Sequence, residues 1–281
     1  MTKSILGAGV LLTAALACGG KPVSPAGPLP TLADVTPAEW ATLASRRVFF
    51  GHQSVGVNIV HGLTEVLSAN PAIRLNVIES RDLASAKPGF YHARVGRNLY
   101  PNEKAEEFAA IAAQGLSGSG GVGLLKFCYV DVTPDTDPNA LFGMYQQRMA
   151  ALKASNPGLT IVHLTMPLSI NEDTWPYFKL KVRGHDTDRD RNRVRNRYNA
   201  LLRQAYVGNE PVFDIAALES RRADGSLSYN RWFGETIYSL AWEYTYDGGH
   251  LNETARRMVA EQLLIFLAKL PAAGGSARAT S

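Results

Sequence analysis

The stretch RVFFGHQSVGVNIVHGLTEVL, residues 47–67, decides the fold. It opens on an apolar run, Arg47 to Phe50, short enough for a strand buried on both faces. Gly51 to Ser54 then turns the chain. Val55, Ile59, Leu63, Val66 and Leu67 follow at helical spacing, so one face of a helix is apolar and packs back on the strand. A strand that enters a helix through a tight, glycine-bearing turn is the building unit of a parallel α/β sheet.

The same alternation extends in both directions. Thr36-Pro37-Ala38-Glu39 is a capping box with proline at the first helical position, which predicts a short helix to about Ser45. Ile73 to Ile78 reads as a second strand, followed by a long loop from about Ser80 to Pro101. Asn102 is placed to cap a helix ending near Gly115. Leu124 to Val132 reads as a continuous apolar strand, Asn139 to Ser155 as a helix, and Leu159 to Met166 as a strand. After an irregular stretch, Pro167 to Asp186, a basic helix runs from Asp188 to Tyr206. Val212 to Ile215 is a fifth strand, and Ala216 to Gly249 is mostly loop. Asn252 caps a last helix with Ala255, Met258, Val259, Leu263, Phe266, Leu267 and Leu270 on one face. The expected architecture is a three-layer α/β/α sandwich around a five-stranded, mainly parallel sheet.

The chain has 281 residues, 46% of them hydrophobic, enough for one sizeable core. Its N-terminus reads as a targeting segment. Lys3 supplies the positive start, Ile5 to Ala17 is apolar and small, and Cys18 follows Ala15-Leu16-Ala17. This run is too short to span a bilayer as a stable helix. Small residues directly before a cysteine resemble the lipobox of bacterial lipoproteins, which implies lipidation at Cys18 and an exported, lipid-anchored protein, periplasmic or on the cell surface. The expected layout is a signal peptide at 1–18, a flexible tether at 19–35, one domain at 36–271 and a disordered tail at 272–281. The other cysteine, Cys128, lies in an apolar run and reads as a buried small hydrophobe. Net charge is +4, and nine Lys or Arg against three Asp fall between Lys179 and Arg203. With no nucleic-acid motif beside it, this stripe reads as a solvated helix face, Asp186 and Asp190 each pairing with the arginine three residues on. The glycine-rich stretch Gly115 to Gly123 follows a helix and precedes a strand. That is the reverse of a phosphate-binding loop, so it is a connector.

Parallel sheets build their sites at the carboxyl ends of their strands. Two segments lie there. Gly51-His52-Gln53-Ser54-Val55-Gly56 places a hydroxyl at a helix start, where free backbone N–H groups are available to an oxyanion. Tyr246-Asp247-Gly248-Gly249-His250-Leu251-Asn252 offers a base and the carboxylate that fixes its tautomer, three residues apart before the last helix. Each has a plain alternative: Ser54 as a simple N-cap, and the second segment as a polar glycine turn. Their corresponding strand-end positions favour chemistry.

These blocks resemble those of the SGNH hydrolases, also called the GDSL lipase and esterase family. Asp247-Gly248-Gly249-His250-Leu251-Asn252 is similar to that family's C-terminal D-x-x-H block. Phe49-Phe50-Gly51-His52-Gln53-Ser54 is similar to its N-terminal block, with His-Gln where the family has Asp before Ser. The resemblance runs from about Arg46 to Leu270 and implies a flavodoxin-like SGNH topology. It further implies a Ser54–His250–Asp247 triad and hydrolysis of acetyl or other short-acyl esters, on carbohydrate among other carriers, with no cofactor and no metal. The family's oxyanion hole suggests the Ser54 N–H and the Gly96 N–H. Its asparagine after the third strand is missing from Cys128-Tyr129-Val130-Asp131, so Asn98 is the candidate substitute.

The near match of His52-Gln53-Ser54-Val55-Gly56 to G-x-S-x-G fails on its first glycine and on the order of the acid and base, which excludes an α/β-hydrolase elbow. His52 is a candidate for substrate contact or for support of the turn. A metal role fits less well, because no short zinc-type spacing accompanies it. Aromatic residues from Tyr229 to Tyr246, with Trp242 and Tyr246 as the named candidates for substrate contact or support, could stack on a sugar ring. Two other functions use the same residues or scaffold: an O-acyltransferase with a glycan hydroxyl replacing water, and a non-catalytic glycan-binding module. The expected partners are a small-molecule or glycan ester and a membrane reached through the lipid, with no nucleic acid and a monomeric state.

Overall fold

The computed structural model describes residues 27–117 and 120–271. The expected signal peptide, lipidated Cys18 and C-terminal tail lie outside them. In chain order the helices and strands are α1 (Pro37–Ala44), β1 (Arg47–His52), α2 (Val55–Ala69), β2 (Val77–Glu79), β3 (Gly89–Arg94), α3 (Pro101–Gly115), β4 (Val122–Leu125), α4 (Pro138–Ser155), β5 (Thr160–Leu164), α5 (Thr174–Val182), α6 (Asp188–Tyr206), β6 (Val212–Phe213), α7 (Ile215–Ser220), β7 (Tyr229–Trp232), β8 (Glu235–Tyr238) and α8 (Glu253–Ala268). Among the described residues no helix is long and apolar enough to cross a membrane.

The sheet has the order β2-β3-β1-β4-β5-β6, and every neighbouring pair is parallel. The chain leaves β1 in one direction to β2 and β3, then crosses to β4 and continues outward to β6. The carboxyl end of β1, beside β4, is therefore the switch point where such sheets open a crevice. Alternation along β1 splits the core in two. Val48 and Phe50 pack with residues of α2 and α8, while Phe49 packs with α3, α4 and α6. Phe49 stacks on Phe108 of α3 at 5.7 Å between ring centroids.

The α/β/α class holds, and the sheet carries six strands rather than five. The added strand, β3, lies inside the stretch expected as a long loop. His92 and Arg94 interrupt its apolar character, yet Phe90, Tyr91 and Ala93 are buried between β1 and β2. The strand expected over Leu124 to Val132 pairs only to Leu125. Beyond it the chain stays buried but leaves the sheet and closes in a 3-10 turn, Tyr129–Asp131. Hydropathy reports burial, and here burial outlasts pairing. α3 begins at Pro101 with Tyr100 at its cap position rather than Asn102. The stretches expected to be irregular hold α5, α7 and the β7–β8 hairpin. The part of the expected tether that is described, 27–35, runs against the domain: Val35 is buried, and Leu29 and Leu32 pack on the core.

The basic helix α6 is not simply a solvated face. Arg189, Asp190, Asn192, Arg195 and Asn199 are buried. Asp190 pairs with Lys181 at 3.0 Å and Asp186 with Arg191 at 3.6 Å, while Arg193 reaches Glu235 on β8 at 3.0 Å. The polar side of α6 thus holds α5 and the hairpin in place, because those elements lie in loops no sequence periodicity revealed.

α2 and α8 lie side by side on one face of the sheet. The contact turns on Gly62, where an added Cβ would lie 2.3 Å from the Arg256 carbonyl oxygen of α8. Arg256 also pairs with Glu65 across this interface. A Gly62→Ala substitution is expected to cost about 1–3 kcal/mol through overpacking. It should lower the urea midpoint without changing the slope. Gly143→Ala on α4, where the new methyl meets open space, should instead stabilise by about 0.5–1 kcal/mol.

Candidate active site

Ser54 occupies the turn between β1 and α2 with φ 49° and ψ −112°. A non-glycine residue at positive φ is sterically costly, and such strain persists only where the surroundings enforce it. The enforcement is visible on both sides. Gly56 N–H donates to the Gln53 carbonyl at 3.0 Å and Val57 N–H to the Ser54 carbonyl at 2.7 Å, which closes the turn. The Gln53 side-chain NH2 donates to the Gly96 carbonyl at 2.8 Å. Ser54 makes no side-chain cap to its own helix. The plain N-cap reading therefore fails: the hydroxyl points away from the helix.

It points to His250. Ser54 Oγ lies 2.6 Å from His250 Nε2, and His250 Nδ1 lies 2.6 Å from Asp247 Oδ2. Asp247 Oδ1 accepts from the Gly249 N–H at 3.0 Å and the His250 N–H at 2.8 Å. Partial burial works to raise the Asp247 carboxyl. The His250 and Gly249 N–H groups, with the His250 ring, outweigh it and hold the group below the usual carboxylate range. Asp247 is thus a carboxylate that can fix the imidazole tautomer with Nδ1–H toward itself and Nε2 free to accept the Ser54 proton. The site is open to solvent, with 43% of the His250 side chain and 56% of Asp247 exposed.

His250 rests on a wall the sequence did not disclose. The Tyr129 ring meets the His250 ring edge-on at 5.6 Å. Gly249 makes room for it, since a Cβ there would lie 2.6 Å from the tyrosine ring. Buried Arg195 of α6 donates to the Tyr129 carbonyl at 2.8 Å. The 128–131 turn is fixed by Asp131, whose carboxylate takes Lys104 Nζ at 2.6 Å, the Cys128 N–H at 2.7 Å and the Leu99 N–H at 2.9 Å. Lys104 and Asp131 are both fully buried. No motif marks Tyr129, Arg195 or this ion pair. The sequence signal among them is Asp131, a carboxylate inside an apolar stretch.

His52 is buried beneath the turn and stacks on Phe50 at 4.9 Å. Its Nε2 lies 3.2 Å from His92 Nδ1. Gly56 exists for it: a Cβ there would sit 2.3 Å from the His52 side chain. Burial first, then the positive charge of Lys126, pushes its pKa down to about 3, so the ring is neutral at physiological pH. His52 supports the turn and does not face the site opening. Cys128 is buried, with its thiol 3.6 Å from the Gln53 carbonyl.

The oxyanion expectations divide. The Ser54 N–H is not taken up by any hydrogen bond among the described residues. The Gly96 N–H is committed to the Glu107 carboxylate at 2.5 Å, so the donor expected from it is corrected: a charged acceptor already holds it. Asn98 is exposed, and its side-chain oxygen accepts from Lys104 at 3.0 Å. The aromatic residues also divide. Trp242 and Tyr246 are exposed, and Tyr246, directly before Asp247, donates its hydroxyl to Glu253 at 2.9 Å. Tyr244 is buried, and Trp232 packs on Tyr177 instead. Among the described residues no group of three or more His, Cys, Asp or Glu is arranged around a metal site.

Three solved structures are similar to this chain at low identity. A Streptococcus pneumonia protein provisionally described as a platelet activating factor is 14% identical, with a TM-score of 0.41 over 76% of this chain and 92% of its own. The native M. smegmatis aryl esterase is 12% identical, with a TM-score of 0.38 over 78% and 96%. The C-terminal domain of Drosophila Oskar is 11% identical, with a TM-score of 0.39 over 79% and 87%. No family model matches the chain, and no curated protein does.

Asp131→Asn removes the countercharge of a fully buried lysine. The expected cost is roughly 3–5 kcal/mol, read as a lower denaturant midpoint. Replacing both partners at once, Lys104→Met with Asp131→Leu, is expected to recover only part of that loss, because the Cys128 and Leu99 N–H groups lose their acceptor.

Proposed function

We propose that this chain is a serine ester hydrolase. The observation that carries the reading is the pair of 2.6 Å contacts that link Ser54 Oγ through the His250 ring to Asp247. A hydroxyl with a positioned base and a base with a positioned carboxylate are the parts that nucleophilic acyl transfer requires. In the proposed reaction Ser54 Oγ attacks the ester carbonyl while His250 Nε2 takes its proton. Asp247 steadies the resulting imidazolium. The Ser54 N–H faces the oxyanion. His250 then returns the proton to the leaving alkoxide. Water, deprotonated by the same nitrogen, releases the acid and restores the serine.

Openness favours the substrate class. A nucleophile and base that are not roofed over suit an ester displayed on a bulky carrier, and exposed Trp242 and Tyr246 offer faces to a sugar ring. Short-acyl esters on carbohydrate are therefore the proposed substrates. The leader that resembles a lipobox supports an exported, lipid-anchored enzyme that acts outside the cytoplasm. The second reading, a glycan-binding module on the same scaffold, is favoured by one observation. The Gly96 N–H is committed to Glu107, which leaves the Ser54 N–H as the one identified oxyanion donor.

Hydrolysis of p-nitrophenyl acetate and covalent labelling by a fluorophosphonate separate the two. The wild-type chain is expected to do both, and Ser54→Ala neither. Asp247→Asn should keep the fold but reduce kcat by up to about 10⁴, because the imidazole loses its tautomer control. Labelling that survives Ser54→Ala would place the nucleophile elsewhere. A folded wild-type chain that binds glycan yet never labels would establish the binding module. Acyl transfer to an added sugar in preference to water would identify a transferase.

A further inference from the structure

α5 is an amphipathic helix turned inside out. Trp175, Phe178 and Val182 recur at i, i+3 and i+7, the spacing of one helical stripe, and are 67%, 53% and 73% exposed. The opposite face is the anchored one. Tyr177 is buried, donates its hydroxyl to Asp190 at 3.1 Å and lies under the Arg189 guanidinium at 4.2 Å. Lys181, four residues on, pairs with the same Asp190 at 3.0 Å. α6 therefore holds the helix by its polar side and leaves the apolar stripe in water.

A second element presents a large apolar residue nearby. Tyr177 packs edge-on against Trp232 at 5.1 Å, and Trp232 against Phe233 at 4.9 Å. Phe233 is 94% exposed at the tip of the β7–β8 hairpin. The two-residue turn there, Phe233-Gly234, has φ 45° and 82°. A turn with positive φ at both positions prefers Asn-Gly or Gly-Gly, and a bulky phenylalanine is a costly occupant. The hairpin thus carries backbone strain at a phenylalanine that packs on nothing beyond its neighbouring tryptophan.

Cations stand on α5 and just past its end, while carboxylates lie outside it, Glu172 and Asp173 before, Asp186 and Asp188 after, and Glu235 beyond the hairpin tip. Residues 174–185 include Lys179, Lys181, Arg183 and His185 and no carboxylate. Lys179 lies along the stripe, with Nζ 5.2 Å from the Trp175 ring. Aromatic and aliphatic side chains flanked by long cations are the composition of helices that lie in the bilayer interface, where the rings enter the headgroup region and the cations meet anionic lipid. We propose that the Trp175–Phe178–Val182 stripe of α5, with Phe233 of the hairpin, is a docking surface for an anionic lipid bilayer. This contact is separate from any N-terminal lipid and independent of chemistry at Ser54.

The test reads the patch itself. In the full chain carrying Cys18→Ser, Trp40, Trp232 and Trp242 are replaced by Phe, which leaves Trp175 as the single tryptophan. Phosphatidylglycerol vesicles should shift Trp175 emission to shorter wavelength, and lipids brominated in their acyl chains should quench it. Phosphatidylcholine vesicles should do neither. Lys179→Glu with Arg183→Glu should weaken partition roughly 30-fold or more. If the single-tryptophan chain does not fold, the difference spectrum between the Cys18→Ser chain and its Trp175→Phe derivative gives the same reading. Unchanged Trp175 emission on anionic vesicles overturns the proposal. So does a blue shift that grows with protein concentration in the absence of lipid, which would make the stripe a self-association surface.

Discussion

The packing of α2 against α8 is the constraint on which the site depends. Each helix begins just after one half of the site, α2 after Ser54 and α8 three residues beyond His250. Gly62 lets the two backbones approach until no room for a methyl group remains. That approach sets the lateral distance between the two helix starts, so a contact in the body of the helices fixes a hydrogen bond at their ends. The sheet alone would not do this, because Ser54 belongs to its centre while the Asp247–His250 turn belongs to no strand.

Around this frame the local conformations are costly and mutually enforced. Ser54 holds a backbone conformation that L-residues avoid. Gly56 is empty so that His52 can fill the space under the turn, and Gly249 is empty so that Tyr129 can stand against His250. Below the 128–131 turn, buried Lys104 pairs with Asp131, whose carboxylate also accepts the Cys128 N–H just beyond β4 and the Leu99 N–H just before α3. Buried ion pairs of this kind contribute little net stability but penalise strongly any rearrangement that separates them. Their effect here is to fix one geometry for the turn that carries Tyr129.

Much of this was legible in the sequence. Strand-turn-helix alternation gave the layer class, and the polar blocks around Ser54 and Asp247–His250 gave three residues that the fold brings into one hydrogen-bonded line, although only the first block follows a strand and the second, expected at a strand end, does not. What escaped did so for physical reasons. β3 escaped because its sheet position depends on neighbours rather than on its own alternation, and His92 disguises it. The end of β4 escaped because Phe127 and Cys128, and Val132 beyond the turn, are buried without pairing. Gly96 looked like an oxyanion donor by position, but an acceptor from a different helix, Glu107, claims its N–H. Tyr129 and Arg195 escaped because their roles arise from packing across segments 66 residues apart. The reading of α6 as a solvated face failed because its partners, α5 and the hairpin, carry no period of their own.

The central claim is that Ser54 Oγ is a nucleophile served by His250 and Asp247. The most direct measurement is a crystal structure of the chain after reaction with a phosphonate ester analogue. The account predicts continuous density from Ser54 Oγ to phosphorus, with His250 Nε2 within hydrogen-bond reach of the Ser54 oxygen or the phosphonyl group and the Ser54 N–H directed at a phosphoryl oxygen. An unmodified Ser54 in the presence of excess reagent, or phosphorus bonded to any other residue, would contradict it.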